Sequence, residues 1–198
     1  MGCSMGHIFQ DPDSIQIIVT GERGWGREGV LCALRETALL DQTLPPLSKP
    51  RSAAGMEMIK MRYKSREVCI FNEEVRSASS TWIMEHLLSS SMRFSLLHII
   101  EGGHLSEGSI EGTKARFAAL VNTPLLQRLT SVDVGVLVCV RQGDTDISMN
   151  SVVRQLGLVN AAHNIRWSVH LCHEGVDGAG VTGIANALDW VCSLKEVG

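Results

Sequence analysis

The sequence has no CxxC pair, no run of Lys and Arg, no long apolar run and no internal repeat. Each absence removes a class of protein. The six cysteines, Cys3, Cys32, Cys69, Cys139, Cys172 and Cys192, stand singly and mostly inside apolar segments. That usage argues for small buried hydrophobes in a reducing, cytoplasmic compartment, not for a disulfide framework. The 18 Lys and Arg are scattered among 21 Asp and Glu, with a net charge of −3, so no nucleic-acid partner is expected. VGVLVCV, the longest apolar stretch around Cys139, is far too short to span a bilayer. MGCSMGHIFQ lacks the basic start and long apolar core of a secretory leader.

What remains is globular. With 198 residues, 44% hydrophobic and 20% charged, the chain can bury a core without staples and suggests one domain. We divide it into a tail over 1–14 and a folded domain over 15–198.

Short β-branched runs alternate with helix-like segments. IQIIVT (15–20) reads as a strand ended by a glycine, and 26–40 carries Val30, Leu31, Leu34 and Ala38 at helical spacing. Residues 41–55 hold three prolines and no periodicity, which predicts a mobile loop. MEMIKMRY (56–63) and EVCIFN (67–72) predict a hairpin. A loop over 75–80 then leads to a short helix beginning at TWIMEHLL. FSLLHII (94–100) and VGVLVCV (134–140) are continuous enough to be strands buried on both faces. Helices are expected over roughly 110–129 and from Met149 to Leu156, a last strand over 167–172, and a closing helix at IANALDWVCSL. The order gives an α/β three-layer sandwich with a six-stranded, mostly parallel sheet.

Ligands in such sheets sit at the carboxyl ends of the strands. Four unusual loops leave those ends: GERGWGRE, NEEVRS, VRQGD and HEGVDG. The first has the spacing of a phosphate-binding loop, Gly21, four residues, Gly26, but continues with Arg27 and Glu28 in place of Lys and Ser or Thr.

In this order the segments resemble the Arf and Arf-like small GTPases over nearly the whole chain. TGERGWGREGVLCAL is similar to the glycine loop opening the first helix, and GMEMIKMRYKSREVCIFNEEV to the interswitch hairpin. VLVCVRQGDTDISMNSVVRQLGL resembles the guanine-reading strand, loop and helix, and NALDWVCSL the terminal helix. The resemblance implies a small-GTPase, P-loop NTPase fold, with a degenerate nucleotide site at Gly21, Gly24, Gly26, Arg27, Glu28, Gln142 and Asp144.

The departures fall on the chemistry. In this family the loop lysine reaches the β and γ phosphates, and the next hydroxyl binds magnesium. Arg27 is a planar fork where a compact ammonium belongs. Glu28 puts a carboxylate in the space of that hydroxyl: at about 4 Å from a phosphate charge, repulsion is about 1 kcal/mol in water and about 4 kcal/mol at an intermediate dielectric. The switch-one threonine falls near Ala53. DxGGQ becomes Asn72, Glu73, Glu74, Val75, Arg76, with Arg76 or Ser77 at the water-positioning glutamine. NKxD becomes Val140, Arg141, Gln142 and then Gly143 or Asp144; the guanine-reading aspartate is Asp144 or Asp146. The resemblance thus implies a pseudo-GTPase with no catalytic residue and no resident metal or nucleotide cofactor. The alternative is a divergent switch that holds GTP or GDP through Arg27 and the loop amides. A third reading, a small enzyme reusing the pocket, has no residue set behind it.

A glycine turn between strand and helix also serves tight packing alone. Glu28, at a helix start, interacts well with the dipole and free amides, and we expect it to fill the anion hole that the β phosphate would occupy. Trp25 either stacks on a base or caps an empty pocket; the latter fits the other losses. Met56, Met58 and Met61 suit either core filling or an adaptable surface; the resemblance to Arf proteins, whose switches and interswitch contact partners, implies a protein partner there. His170, Cys172 and His173 lack further ligands at zinc spacing. Gly2 is an acceptor position for myristate and Cys3 for palmitate, although Gly6 stands where Ser or Thr is usual. Two chains would hold the protein peripherally at a membrane. Asp11, Pro12 and Asp13 interrupt any amphipathic amino-terminal helix, so such an anchor would be constitutive.

Overall fold

The computed structural model describes residues 14–40, 57–64, 66–72, 94–105, 108–127, 132–141, 144, 147–160, 165–175 and 181–193. The strands are β1 (Ile15–Gly21), β2 (Glu57–Tyr63), β3 (Arg66–Asn72), β4 (Phe94–Glu101), β5 (Val132–Val140), β6 (Ile165–Glu174) and β7 (Val181–Thr182). Among the described residues the helices are α1 (Trp25–Leu40), α2 (Ile110–Val121), α3 (Pro124–Gln127), α4 (Met149–Leu156) and α5 (Ile184–Ser193). The sheet order is β2-β3-β1-β4-β5-β6-β7. β3, β1, β4, β5 and β6 run parallel, and β2 and β7 pair antiparallel at the edges.

Both faces of the central strands are covered, which is why β1 and β5 read as mostly apolar, with Gln16, Thr20 and Asp133 as buried polar exceptions. Ile17, Val19, Leu97, Ile99 and Leu137 pack with Val30, Leu31 and Leu34 of α1 and Ala187, Leu188 and Val191 of α5. Ile18, Leu96, Val134, Val136 and Val138 pack on the other face with Phe117 of α2 and Val152 and Leu156 of α4. Burial of each such side chain is worth about 1.5–3 kcal/mol. The two layers hold the carboxyl ends of five strands at one edge of the molecule, and the candidate site is there.

Three expectations change. Among the described residues the sheet has seven strands, not six: β7 is two residues long and pairs with His173 and Glu174, too short to leave a period in the sequence. The helix expected over 110–129 ends at Val121. Pro124 disfavours helical backbone at the residue before it, and α3 restarts the helix for one turn. β6 extends two residues beyond 167–172 at each end. The loops expected at 41–55 and 75–80, the helix at TWIMEHLL, and Gly2, Cys3, Ala53, Gln142 and Asp146 lie outside the described residues.

The β2–β3 hairpin is tied to the last helix. Tyr63 Oη donates to Asp189 Oδ1 at 2.8 Å, and Lys64 Nζ lies 2.6 Å from the same oxygen. Burial, then the hydrogen bond and charge of Asp189, push the Tyr63 phenol up to about 12. The neighbouring Lys64 takes a left-handed backbone, φ 46°, to make the tight turn that brings both side chains to Asp189.

Candidate functional site

β1 ends at Gly21, whose φ of +129° is open only to glycine; a Cβ there would meet the Ile99 carbonyl oxygen. The chain then passes through Glu22, Arg23 and Gly24 into α1, so the expected strand–loop–helix turn is present. The buried stripe of α1 runs through Arg27, Val30, Leu31 and Leu34. At 100° per residue the neighbouring position 28 points away from the sheet.

That periodicity decides the fate of Arg27 and Glu28. Arg27 is only 3% exposed. Its Nη1 donates to Gly21 O at 2.9 Å, and Nη2 donates to Asn72 Oδ1 at 2.7 Å. The guanidinium therefore joins the ends of β1 and β3, which are in-register neighbours at Val19 and Asn72. Glu28 is exposed, and its backbone N–H bonds Gly24 O at 3.1 Å. Its carboxylate does not fill the loop, contrary to the expectation from sequence.

Another carboxylate is there. Glu101, the last residue of β4, accepts the Gly26 N–H through Oε1 at 3.0 Å. A Cβ at Gly24 would collide with the same Oε1. A Cβ at Gly26 would lie 2.8 Å from Cys139 Cβ and 3.2 Å from Glu101 Cγ. Both glycines thus permit close approach by the protein's own side chains. Glu101, Cys139 and Cys172 are in-register on β4, β5 and β6, a row directly beneath the loop. Cys139 Sγ also reaches Gly26 O at 3.6 Å. Its hydrogen bond to Cys172, burial and the nearby Glu101 carboxylate raise the Cys139 thiol far above the ordinary range.

Glu22 anchors the loop sideways, with Oε1 on Arg116 Nε of α2 and Oε2 3.2 Å from His104 Nδ1. Beneath them Thr20 Oγ1 and His98 Nδ1 are 3.0 Å apart. Burial, then the positive charges of Arg116 and Arg27, lower the His98 pKa to about 4, so the ring is neutral at physiological pH.

The segment after β5 also meets the loop through a side chain. The Arg141 guanidinium lies 4.5 Å from the Trp25 ring centroid, and its Nε lies 3.7 Å from Glu174 Oε1. Trp25 thus meets a cation of the same chain, a contact that neither sequence alternative included. Asp144 Oδ2 accepts the Arg141 N–H at 2.7 Å, while Asp144 N–H returns to Arg141 O at 3.1 Å. Asp144 is folded onto its own turn, and its carboxylate lies where a Cβ on Gly102 would come within 2.7 Å.

The structure brings Gly21, Gly24, Gly26, Arg27 and Asp144 to the same strand ends and leaves Glu28 outside. Glu101 was missed in the sequence, although a charged residue closing the apolar run FSLLHII at a strand's carboxyl end was a usable signal. Among the described residues no three His, Cys, Asp or Glu side chains group closely enough to hold a metal ion. No described helix is long and apolar enough to cross a membrane.

No protein-family model matches the chain, and no curated protein matches it. A solved structure does: the Arl6 BBS3 small GTPase of Trypanosoma brucei, with the bound nucleotide analogue GppNp, has a TM-score of 0.56 and 12% identity. The alignment covers 91% of this chain and 96% of that one. At that identity the likeness concerns architecture alone, and the chain has the small-GTPase fold.

Proposed function

We propose that the protein is an Arf-like pseudo-GTPase, an interaction module that uses the fold without binding or hydrolysing GTP. One observation carries the reading: the loop's Arg27 is buried and bonded to Gly21 O and Asn72 Oδ1. A P-loop cation has to reach the β and γ phosphates; this one joins two strand ends. Asn72 stands where the resemblance places the aspartate of DxGGQ, so the same bond uses up a second position of the old machinery.

The partner surface would include the β2–β3 hairpin. Its clamp to α5 through Tyr63, Lys64 and Asp189 holds it as a fixed platform. Met58, partly buried against the core, shares a face of β2 with Lys60 and exposed Arg62, opposite Ile59 and Met61, which suits a protein ligand with both apolar and acidic groups. Acylation at Gly2 and Cys3 would add a peripheral membrane anchor that nucleotide does not control.

Titration of the full chain against fluorescent GTP and GDP analogues, with magnesium and with a chelator, tests the reading. No saturable signal at micromolar analogue is expected. Saturable, magnesium-dependent binding would replace it with the divergent-switch reading.

A further inference from the structure

We propose that Glu101 is a built-in anion that completes the phosphate loop, taking the place of a ligand phosphate at the amino terminus of α1. The inference rests on the pseudo-GTPase reading and says how the loop keeps its shape without nucleotide. The first amides of a helix have no partner within the helix, and the dipole favours negative charge there. For that reason a helix amino terminus at the end of a strand binds phosphate. Here the chain supplies the acceptor itself. Glu101 Oε1 accepts the Gly26 N–H at 3.0 Å, and the carboxylate lies so close to Gly24 that a Cβ there would push it aside.

The placement follows from the sheet. Glu101 is one residue past Ile100 and in register with Cys139, on the face that carries α1. β1 and β4 are adjacent parallel strands, with Gly21 opposite Ile99, so the end of β4 lies directly under the loop that leaves β1. Glu28, the nearer carboxylate in sequence, is exposed. Gly24, and Gly26 in part, therefore serve the approach of Glu101, and the internal carboxylate competes with any oxyanion for the same amide.

Chemical rescue tests this. In Glu101→Ala the loop loses its acceptor, and inorganic phosphate should raise the melting temperature saturably relative to chloride at matched ionic strength. The wild-type chain should show no such rise. A folded Glu101→Ala that phosphate does not stabilise more than wild type overturns the proposal. If Glu101→Ala does not fold, Glu101→Gln keeps the shape and loses the charge. Its Gly26 amide should exchange hydrogen about fivefold to tenfold faster than wild type, and unchanged exchange overturns the proposal. Failure here is separable from failure of the pseudo-GTPase reading: stoichiometric nucleotide in the purified wild-type chain sinks that reading, whereas absent rescue in a nucleotide-free protein sinks only the role of Glu101.

Discussion

Arg27 and Asn72, 45 positions apart in the chain, are joined by a 2.7 Å hydrogen bond between a guanidinium nitrogen and a side-chain amide oxygen. The bond crosses from α1 to the end of β3 and brings a buried positive charge against a neutral acceptor.

Replacing that acceptor should change stability in two directions. Asn72→Leu removes a bond to a charged group and should cost about 1.5–3 kcal/mol. Asn72→Asp restores the residue expected from the GTPase resemblance, yet here its charge would face Arg27. It should raise the melting temperature by about 2–4 °C, the shift that ~1 kcal/mol gives a domain of this size. Thermal unfolding of both variants checks the pair, and a destabilised Asn72→Asp would contradict the assignment.

Tyr63 is the only tyrosine in the chain, so its titration can be read by ultraviolet absorbance without assignment. Its pKa is raised to about 12 by burial and by Asp189. Asp189→Asn should bring the midpoint down toward, but not fully to, the ordinary value, since burial persists. The sign for stability follows: a raised folded pKa gives a contribution present below pH about 10. That contribution is lost as pH rises through about 12. A midpoint unmoved in Asp189→Asn would contradict the clamp.

His98 gives the opposite pH window. Its folded pKa is lowered to about 4 by burial and by Arg116 and Arg27, while the unfolded chain takes up the proton near pH 6.5. Its contribution to stability is therefore present above about 6.5 and lost as pH falls through about 4, roughly 3 kcal/mol in full. Denaturant midpoints between those limits should fall more steeply for wild type than for His98→Asn. Equal slopes would show that the ring is not held neutral by the fold.

The fold was legible because its signals are periodic. The two-faced strands β1, β4 and β5 have to be largely apolar, and the α1 stripe of Val30, Leu31 and Leu34 has to face them. Boundaries were less so: Pro124 ends a pattern that hydrophobicity alone carries onward, and β7 is too short to have a pattern. At the site, the glycines and Arg27 were visible through their spacing, but their partners were not. Asn72, Glu101 and Arg141 reach the loop from β3, β4 and the segment after β5, contacts set by a strand order that local sequence does not encode. Glu28 was favoured as the internal anion because it is near in sequence. The helical period that buries Arg27 turns Glu28 to solvent.

The central claim, that the loop is closed by its own chain and holds no nucleotide, is tested most directly by what copurifies. The full-length protein is purified with magnesium present, denatured, and its supernatant resolved by anion exchange against GDP and GTP standards. The account predicts no guanine nucleotide beyond a trace. Stoichiometric GDP or GTP would contradict it.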